Sequence, residues 1–337
     1  MAILFAAGTA FAVTCCFTRL FLQPQSFFHI LDYPNERSLH ACPIPRSGGV
    51  AVLAGMLAGV TVLSIVMPLA PVSVMALGLI PLVVMSFWDD RASVNPAIRL
   101  LTHGLAALLL LKAGYGIVWP EQDPSADGTY QGLINLMTIL FVIWMINLYN
   151  FMDGMDGLAG GMTVVGFSCY GILGLLAGDP VFASFGFLIA GAASGFLVYN
   201  FPPAKIFLGD TGSTAFGYCA AALGLWGHRD GVLKLWVAVL IFAPFIVDAT
   251  VTLIYRLFRG EKVWQAHQSH YYQKLIQIGW KQRNVLWAEY LLMFASSAIA
   301  LCIVNWSVEV QISVAGAWLI TCVLLMFSVS RAVPRIP

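Results

Sequence analysis

The residues of this chain able to do chemistry are few, and they gather at the ends of long apolar runs. Residues 150–161 read NFMDGMDGLAGG, where Asp153 and Asp156 stand three apart beside Gly154 and Gly157. Acids at that spacing share one side of a helical backbone, and the glycines let a ligand approach the main chain. The FWDDR stretch supplies the adjacent pair Asp89 and Asp90, which repel each other unless a cation lies between them. In NFPPAKIFLGDTGS, residues 200–213, a double proline ends one run. GDTGS opens the next with Asp210 at a helix start, a natural seat for phosphate and, through Asp210, for a hard cation such as Mg2+. HQSHYYQ, residues 267–273, places His267 and His270 three apart with no third nitrogen or sulfur ligand nearby, so hydrogen bonding to a nucleotide fits better than zinc. DYPNERSLHACPIPRSGG, residues 32–49, mixes Arg37, His40 and Arg46 with turn formers, and its arginines suit bidentate phosphate contacts.

Each motif also has a plainer reading. Asp156 and Asp210 are good helix caps, paired histidines are common at surfaces, and basic loop residues follow membrane topology. What favours chemistry is their coincidence at one end of the elements that carry them.

Those elements are membrane helices. Of the 337 residues, 60% are hydrophobic and 10% charged. Apolar runs recur at about the length that spans a bilayer. Eleven helices are expected, at 2–22, 49–68, 71–88, 97–113, 131–149, 158–177, 181–199, 213–228, 233–253, 286–304 and 309–329, in a single domain over 1–337 with no internal repeat. The first is expected to be a retained helix, because no basic region precedes it. Alternating from an inner loop after the first helix, all of the 17 Lys and Arg except Lys112, Arg229 and Lys234 fall on one side. The positive-inside rule makes that side cytoplasmic, the N-terminus periplasmic and the C-terminus cytoplasmic. Every motif above then lies in a cytoplasmic loop. A net charge of +1 gives no reason to expect a nucleic-acid partner, and the seven cysteines show no zinc or disulfide spacing. Gly55 and Gly59 would let two helices approach closely, the one feature that favours a homodimer.

The five motifs, in this order and over about residues 32–275, resemble the polyprenyl-phosphate N-acetylhexosamine-1-phosphate transferase family. The resemblance implies transfer of a sugar-1-phosphate from a UDP-N-acetyl sugar to undecaprenyl phosphate at the bacterial inner membrane, with release of UMP. It implies Mg2+, with Mn2+ as an alternative, held by Asp210 with Asp153. Asp89, Asp90 and Asp210 then carry catalysis. Asn150, Asp153, Asp156, Lys205, His267, His270, Arg37, His40 and Arg46 bind substrates. HQSHYYQ stands where the peptidoglycan pentapeptide transferase has three adjacent histidines. That departure points to the O-antigen-initiating branch, with N-acetylfucosamine, N-acetylquinovosamine or N-acetylglucosamine donors. The rivals are the pentapeptide transferase itself and, from another class, an ion-coupled transporter, whose acids would sit at mid-bilayer.

Overall fold

The computed structural model of the chain describes residues 1–34, 42–67, 70–118, 128–262 and 267–332. Ten of the eleven expected helices are present as single helices, and the segment of the eleventh holds two. They are α1 (Ala2–Phe21), α2 (Gly48–Ser64), α3 (Ala70–Asp89), α4 (Pro96–Lys112), α5 (Gly128–Met152), α6 (Leu158–Leu176), α7 (Pro180–Asn200), α8 (Gly209–Arg229), the pair α9 (Leu235–Ile241) and α10 (Ala243–Phe258), α12 (Gln282–Ile303) and α13 (Val308–Ala332). The additions are a short helix α11 (Tyr271–Gln277) and a two-stranded hairpin of β1 (Leu31–Asp32) on β2 (Ile44–Pro45).

The single helix expected over 233–253 is instead broken: α9 and α10 meet at 83°. Pro244 explains the break, because its nitrogen has no proton for the carbonyl of Leu240 one turn back. Polar residues set other boundaries. Asn95 caps α4 ahead of Pro96 by accepting the Ala97 N–H at 2.9 Å. Asp179 caps α7 ahead of Pro180, taking the Val181 and Phe182 N–H groups at 3.0 and 2.9 Å.

Among the described residues six helices are long and apolar enough to cross a membrane, and seven if the bent pair is one span. α8 is not among them although Thr211 to Gly227 are all buried. Its surroundings are protein, so it can be built from Gly and Ala where a lipid-facing helix carries large side chains. α5, α3 and α2 pack around it. A Cβ on Gly217 would fall 2.8 Å from Ile146 Cα in α5. α1, α2, α6 and α7 form a second group beside this one, and α9, α10, α12 and α13 lean on α5 and α6. Gly55 and Gly59 pack α2 against Ala10, Thr14 and Ala6 of α1 and Leu188 of α7, so the pair serves contacts within the chain and gives no support to a homodimer.

One end of this bundle is fastened by backbone. The N–H groups of Gly48 and Gly49 donate to the carbonyls of Phe207 and Leu208 at 2.9 and 2.7 Å, and Phe207 N–H donates to Pro45 O at 2.7 Å. Hairpin, α2 start and α8 start therefore form one unit. It needs glycine: a Cβ on Gly49 would lie 2.6 Å from Gly212 Cα and 2.9 Å from Leu208 O, and backbone cannot give way. Gly49→Val should lower the thermal unfolding midpoint in detergent by several degrees, the consequence of an overpacking cost of about 1–3 kcal/mol. Gly8→Val, where nothing lies within 4 Å of the new carbon, should leave the midpoint unchanged. Equal melting of the two variants would remove the packing argument.

Candidate active site

The site is built where α3, α4, α5 and α8 end together. α8 has no capping side chain of its own, since Leu208 precedes it. Asp90 takes that role from 120 residues upstream. Its Oδ1 accepts the Asp210 N–H at 2.8 Å, and Oδ2 accepts the Thr211 N–H at 3.0 Å and the Thr211 hydroxyl at 2.6 Å. A carboxylate here satisfies otherwise orphaned N–H groups and complements the helix dipole. Gly209 allows the close fit: its φ is +74°, and a Cβ would sit 2.8 Å from Asp90 Oδ1.

Asp89, beside it, turns to a different partner. Oδ1 accepts the Val94 N–H at 2.7 Å and Arg99 Nη2 at 2.8 Å, and Oδ2 lies 2.7 Å from Arg99 Nε. Arg99 also reaches Asp210, with Nη1 3.6 Å from Oδ2. The other Asp210 oxygen accepts Asn150 Nδ2 at 2.8 Å, and that nitrogen is 3.1 Å from Ser213 Oγ. Arg46 closes the opposite side. Its Nη2 donates to the Asp89 carbonyl at 3.1 Å and lies 3.4 Å from Asp90 Oδ1, and Nη1 is 3.4 Å from Asp32 Oδ1. Two arginines thus interleave four carboxylates.

The loop between α5 and α6 brings in Asp153, half-buried. Burial, then the charges of Asp210, Asp90 and Asp156, hold its carboxyl well above the usual range. Burial and the Asp210 charge likewise push Asp90 up to about 6, against its three hydrogen bonds. Asp156 turns to the neighbouring loop, where Oδ2 accepts the Ala204 N–H at 2.9 Å. Asn200 braces the same junction, accepting the Gly157 N–H and donating to Ile206 O, both at 2.8 Å. Asp156 therefore fastens the two loops to each other.

His270 is buried against the end of α5, its ring 6.4 Å from that of Phe151, and His267 lies 4.8 Å further out. Burial and the neighbouring His270 lower the His267 pKa to about 4, so its ring is neutral near pH 7. Lys205 is exposed and forms no ion pair with Asp210 among the described residues; the cation beside Asp210 is Arg99. Arg37 and His40 lie outside the described residues.

Sequence reasoning counted Arg99 only as a positive-inside charge. The signal that would have found it is spacing. Arg99 and His103 are one turn apart on the face of α4 that also buries Ala106, Ala107 and Leu110. A charge one turn from a buried histidine, on the packed side of a helix, calls for a partner.

The acids and Asn150 are hard oxygen donors, as Mg2+ requires. Among the described residues no three His, Cys, Asp or Glu form a preassembled cage. The like charges crowded around Asp153 are a surplus that a divalent cation would relieve.

Residues 72–228 match the model of glycosyl transferase family 4. A probable undecaprenyl-phosphate N-acetylglucosaminyl 1-phosphate transferase of Bacillus subtilis is 29% identical over 276 residues, covering 80% of this chain and 77% of that protein. A decaprenyl-phosphate N-acetylglucosaminephosphotransferase of Mycobacterium leprae is 30% identical over 300 residues, covering 77% and 73%. A phospho-N-acetylmuramoyl-pentapeptide-transferase of Listeria welshimeri is 31% identical over 152 residues, 44% of each chain. With its apolar spans, the chain is a multi-pass membrane protein.

A raised carboxyl pKa has a definite sign. The folded protein binds the Asp153 proton more tightly than the unfolded chain, whose value is 3.8. The stability this group contributes is present below that value and is lost as pH rises toward the native one. Asp153→Asn does not titrate. In EDTA it should melt above the unmodified protein at pH 8, with the gap closing as pH falls toward about 4. A gap that is absent, or that widens in acid, would contradict the crowding of charge at this position.

Proposed function

The chain belongs to glycosyl transferase family 4, and on that premise we propose that it transfers a sugar-1-phosphate from a UDP-N-acetylhexosamine to a polyprenyl phosphate, releasing UMP. The observation that carries the reading is the convergence of Asp89, Asp90, Asp153 and Asp210 with Arg46, Arg99 and Asn150 at one end of a membrane bundle. A site at helix ends meets both substrates, a cytosolic nucleotide and a lipid whose phosphate lies at the interface. The positive-inside asymmetry supports that end facing the cytoplasm of a bacterial inner membrane.

Both reactants are anionic, so their repulsion must be cancelled before they meet. Bound Mg2+ supplies charge neutralisation on the donor pyrophosphate and on the departing UMP. Asp210 and Asp153 are the residues that would hold it. An oxygen of the acceptor phosphate attacks the sugar-bearing phosphorus, and the bond from that phosphorus to UMP breaks. One pyrophosphate linkage forms as another is lost. The acceptor is a phosphomonoester, largely dianionic at neutral pH, so little help from a base is needed.

Asp89 suits positioning better than proton abstraction, since both its oxygens already engage Arg99 or a backbone amide. In that role it aims the Arg99 guanidinium at the acceptor phosphate beside Asp210. Asp90 sets the start of α8 and hence the height of Asp210. Asn150 orients the Asp210 carboxylate. Phosphoryl transfer depends mainly on such positioning and charge stabilisation.

For the donor, N-acetylglucosamine is the first expectation, because the Bacillus and Mycobacterium relatives carry that sugar in their names and align over most of the chain. The product would begin a cell-envelope polysaccharide, O-antigen included. Purified protein with undecaprenyl phosphate and Mg2+ should release UMP from at least one member of a panel of UDP-N-acetylglucosamine, UDP-N-acetylfucosamine, UDP-N-acetylquinovosamine and UDP-muramoyl-pentapeptide. Asp210→Asn should lower kcat by about 10^2–10^3-fold or more, the scale of losing a principal electrostatic stabiliser, while melting at a similar temperature. Full activity in that variant would remove the metal assignment, and silence across the panel would remove the reaction.

A further inference from the structure

Asp248 is a buried acid that the transfer reaction does not use directly. It lies in α10, 2% exposed, on a helix that also buries Thr252 and Arg256. An isolated charge there would be costly, so its partners define its purpose. The chain leaves α10 at Phe258 and folds back, returning residues 270–272 to Asp248. His270 Nδ1 is 2.9 Å from Oδ1. The Tyr271 N–H donates to both oxygens, at 3.2 and 2.9 Å, and the Tyr272 N–H lies 3.4 Å from Oδ2. Thr252, one turn on along α10, gives its hydroxyl to Oδ1 at 3.1 Å.

Every one of these partners other than His270 is a donor, so Asp248 acts as an acceptor. Two bare lone pairs do not sit 2.9 Å apart, so a proton lies between the carboxylate and Nδ1. We infer that Asp248 is a positioning residue, which keeps the His270 proton on Nδ1 and presents Nε2 to the nucleotide sugar as a hydrogen-bond acceptor. The inference rests on the transferase reading above. It also narrows the ligand chemistry. Nε2 then accepts from a hydroxyl of the ribose or hexose, or from the acetamido N–H, and is not a donor to a phosphate oxygen.

The same contact extends past His270. The Tyr272 ring lies parallel to the imidazole, 12° between planes and 5.8 Å between centres. Its hydroxyl is buried without a hydrogen-bond partner and stands against Gly154, where any side chain would strike it. Gly154 adjoins Asp153. By holding the 270–272 backbone, Asp248 therefore sets the height of the α5–α6 loop as well as the face of His270.

The test uses the full-length protein in detergent at pH 8, labelled with 15N-histidine, with the His270 signals assigned by their loss in His270→Gln. Long-range proton–nitrogen correlations report the tautomer without any turnover. The unmodified protein should carry the proton on Nδ1 alone. In Asp248→Asn the amide oxygen still accepts the Tyr271 N–H while the amide nitrogen faces the ring, so the proton should move to Nε2. That variant should lose about 10–100-fold in kcat/KM, the usual scale for an outer partner of a functional histidine, and Asp248→Glu should recover part of it. A proton on Nε2 or a doubly protonated ring in the unmodified protein would overturn the inference, as would an Asp248→Asn enzyme within twofold of the original. If Asp248→Asn does not fold, the tautomer of the unmodified protein alone decides. If no UDP-sugar is turned over, the transferase reading fails and the tautomer still reports on Asp248.

Discussion

The carboxylate of Asp90 on the first amides of α8 is the contact from which the rest of the site takes its geometry. α8 begins after a leucine and a left-handed glycine, with no side chain of its own to satisfy its leading N–H groups. In water those groups would be solvated; at the end of a packed bundle they need a protein acceptor. Asp90 supplies it from the end of α3. The result joins two helices that are far apart in sequence and puts Asp210, the first acid of α8, within reach of Arg99 and Asn150. Ser86 and Thr214 repeat the connection one turn deeper, their hydroxyls 2.9 Å apart.

This arrangement stores charge. Asp32, Asp89, Asp90 and Asp210 share Arg46 and Arg99, and Asp153 faces them with no cation of its own among the described residues. Packing alone would not select such a cluster. Its burial is unfavourable, and the surrounding helices must stabilise it. They do so with close backbone contacts through Gly49, Gly212 and Gly217, which give van der Waals contact without asking the lipid phase for any hydrophobic drive. Small residues in the centre and crowded acids at one end are two parts of one solution: the first makes a scaffold rigid enough to hold the second.

The helices were legible because bilayer length and apolar composition are local signals. Even the buried α8 was found by the run after GDTGS, although its composition resembles that of a soluble helix. The break in the 233–253 segment was written as Pro244 and went unread, because the apolar run continues through it. The hairpin of Leu31–Asp32 on Ile44–Pro45 is too short for a period of two to register. At the site, the gathering of the acids at one end was legible from loop alternation. Which acid does what was not. Asp156 and Asp90, expected at the site, also accept backbone N–H groups, and Asp179, in a loop without a motif, caps its helix. Capping and ligand binding call on the same residue type, and only the partner distinguishes them.

Arg99 and Asp248 escaped for the complementary reason. Each lies inside an apolar helix pattern, where a single charge reads as a boundary residue or an oddity. Their partners, Asp89 with Asp210 and His270 with Tyr271, lie on other elements and leave no trace in local spacing. For Asp248, which is buried, the charge is nonetheless a statement that a partner exists, because burial without one is too costly to persist. The break before α10 matters for the same pairing. A helix turned through 83° no longer follows the axis of its neighbours, and the segment after it folds back far enough for residues 270–272 to reach Asp248. Pro244 thus acts at a distance. By bending one membrane helix it lets an acid from the apolar part of the chain hold a histidine in the polar part, beside the carboxylates that α3, α5 and α8 bring together.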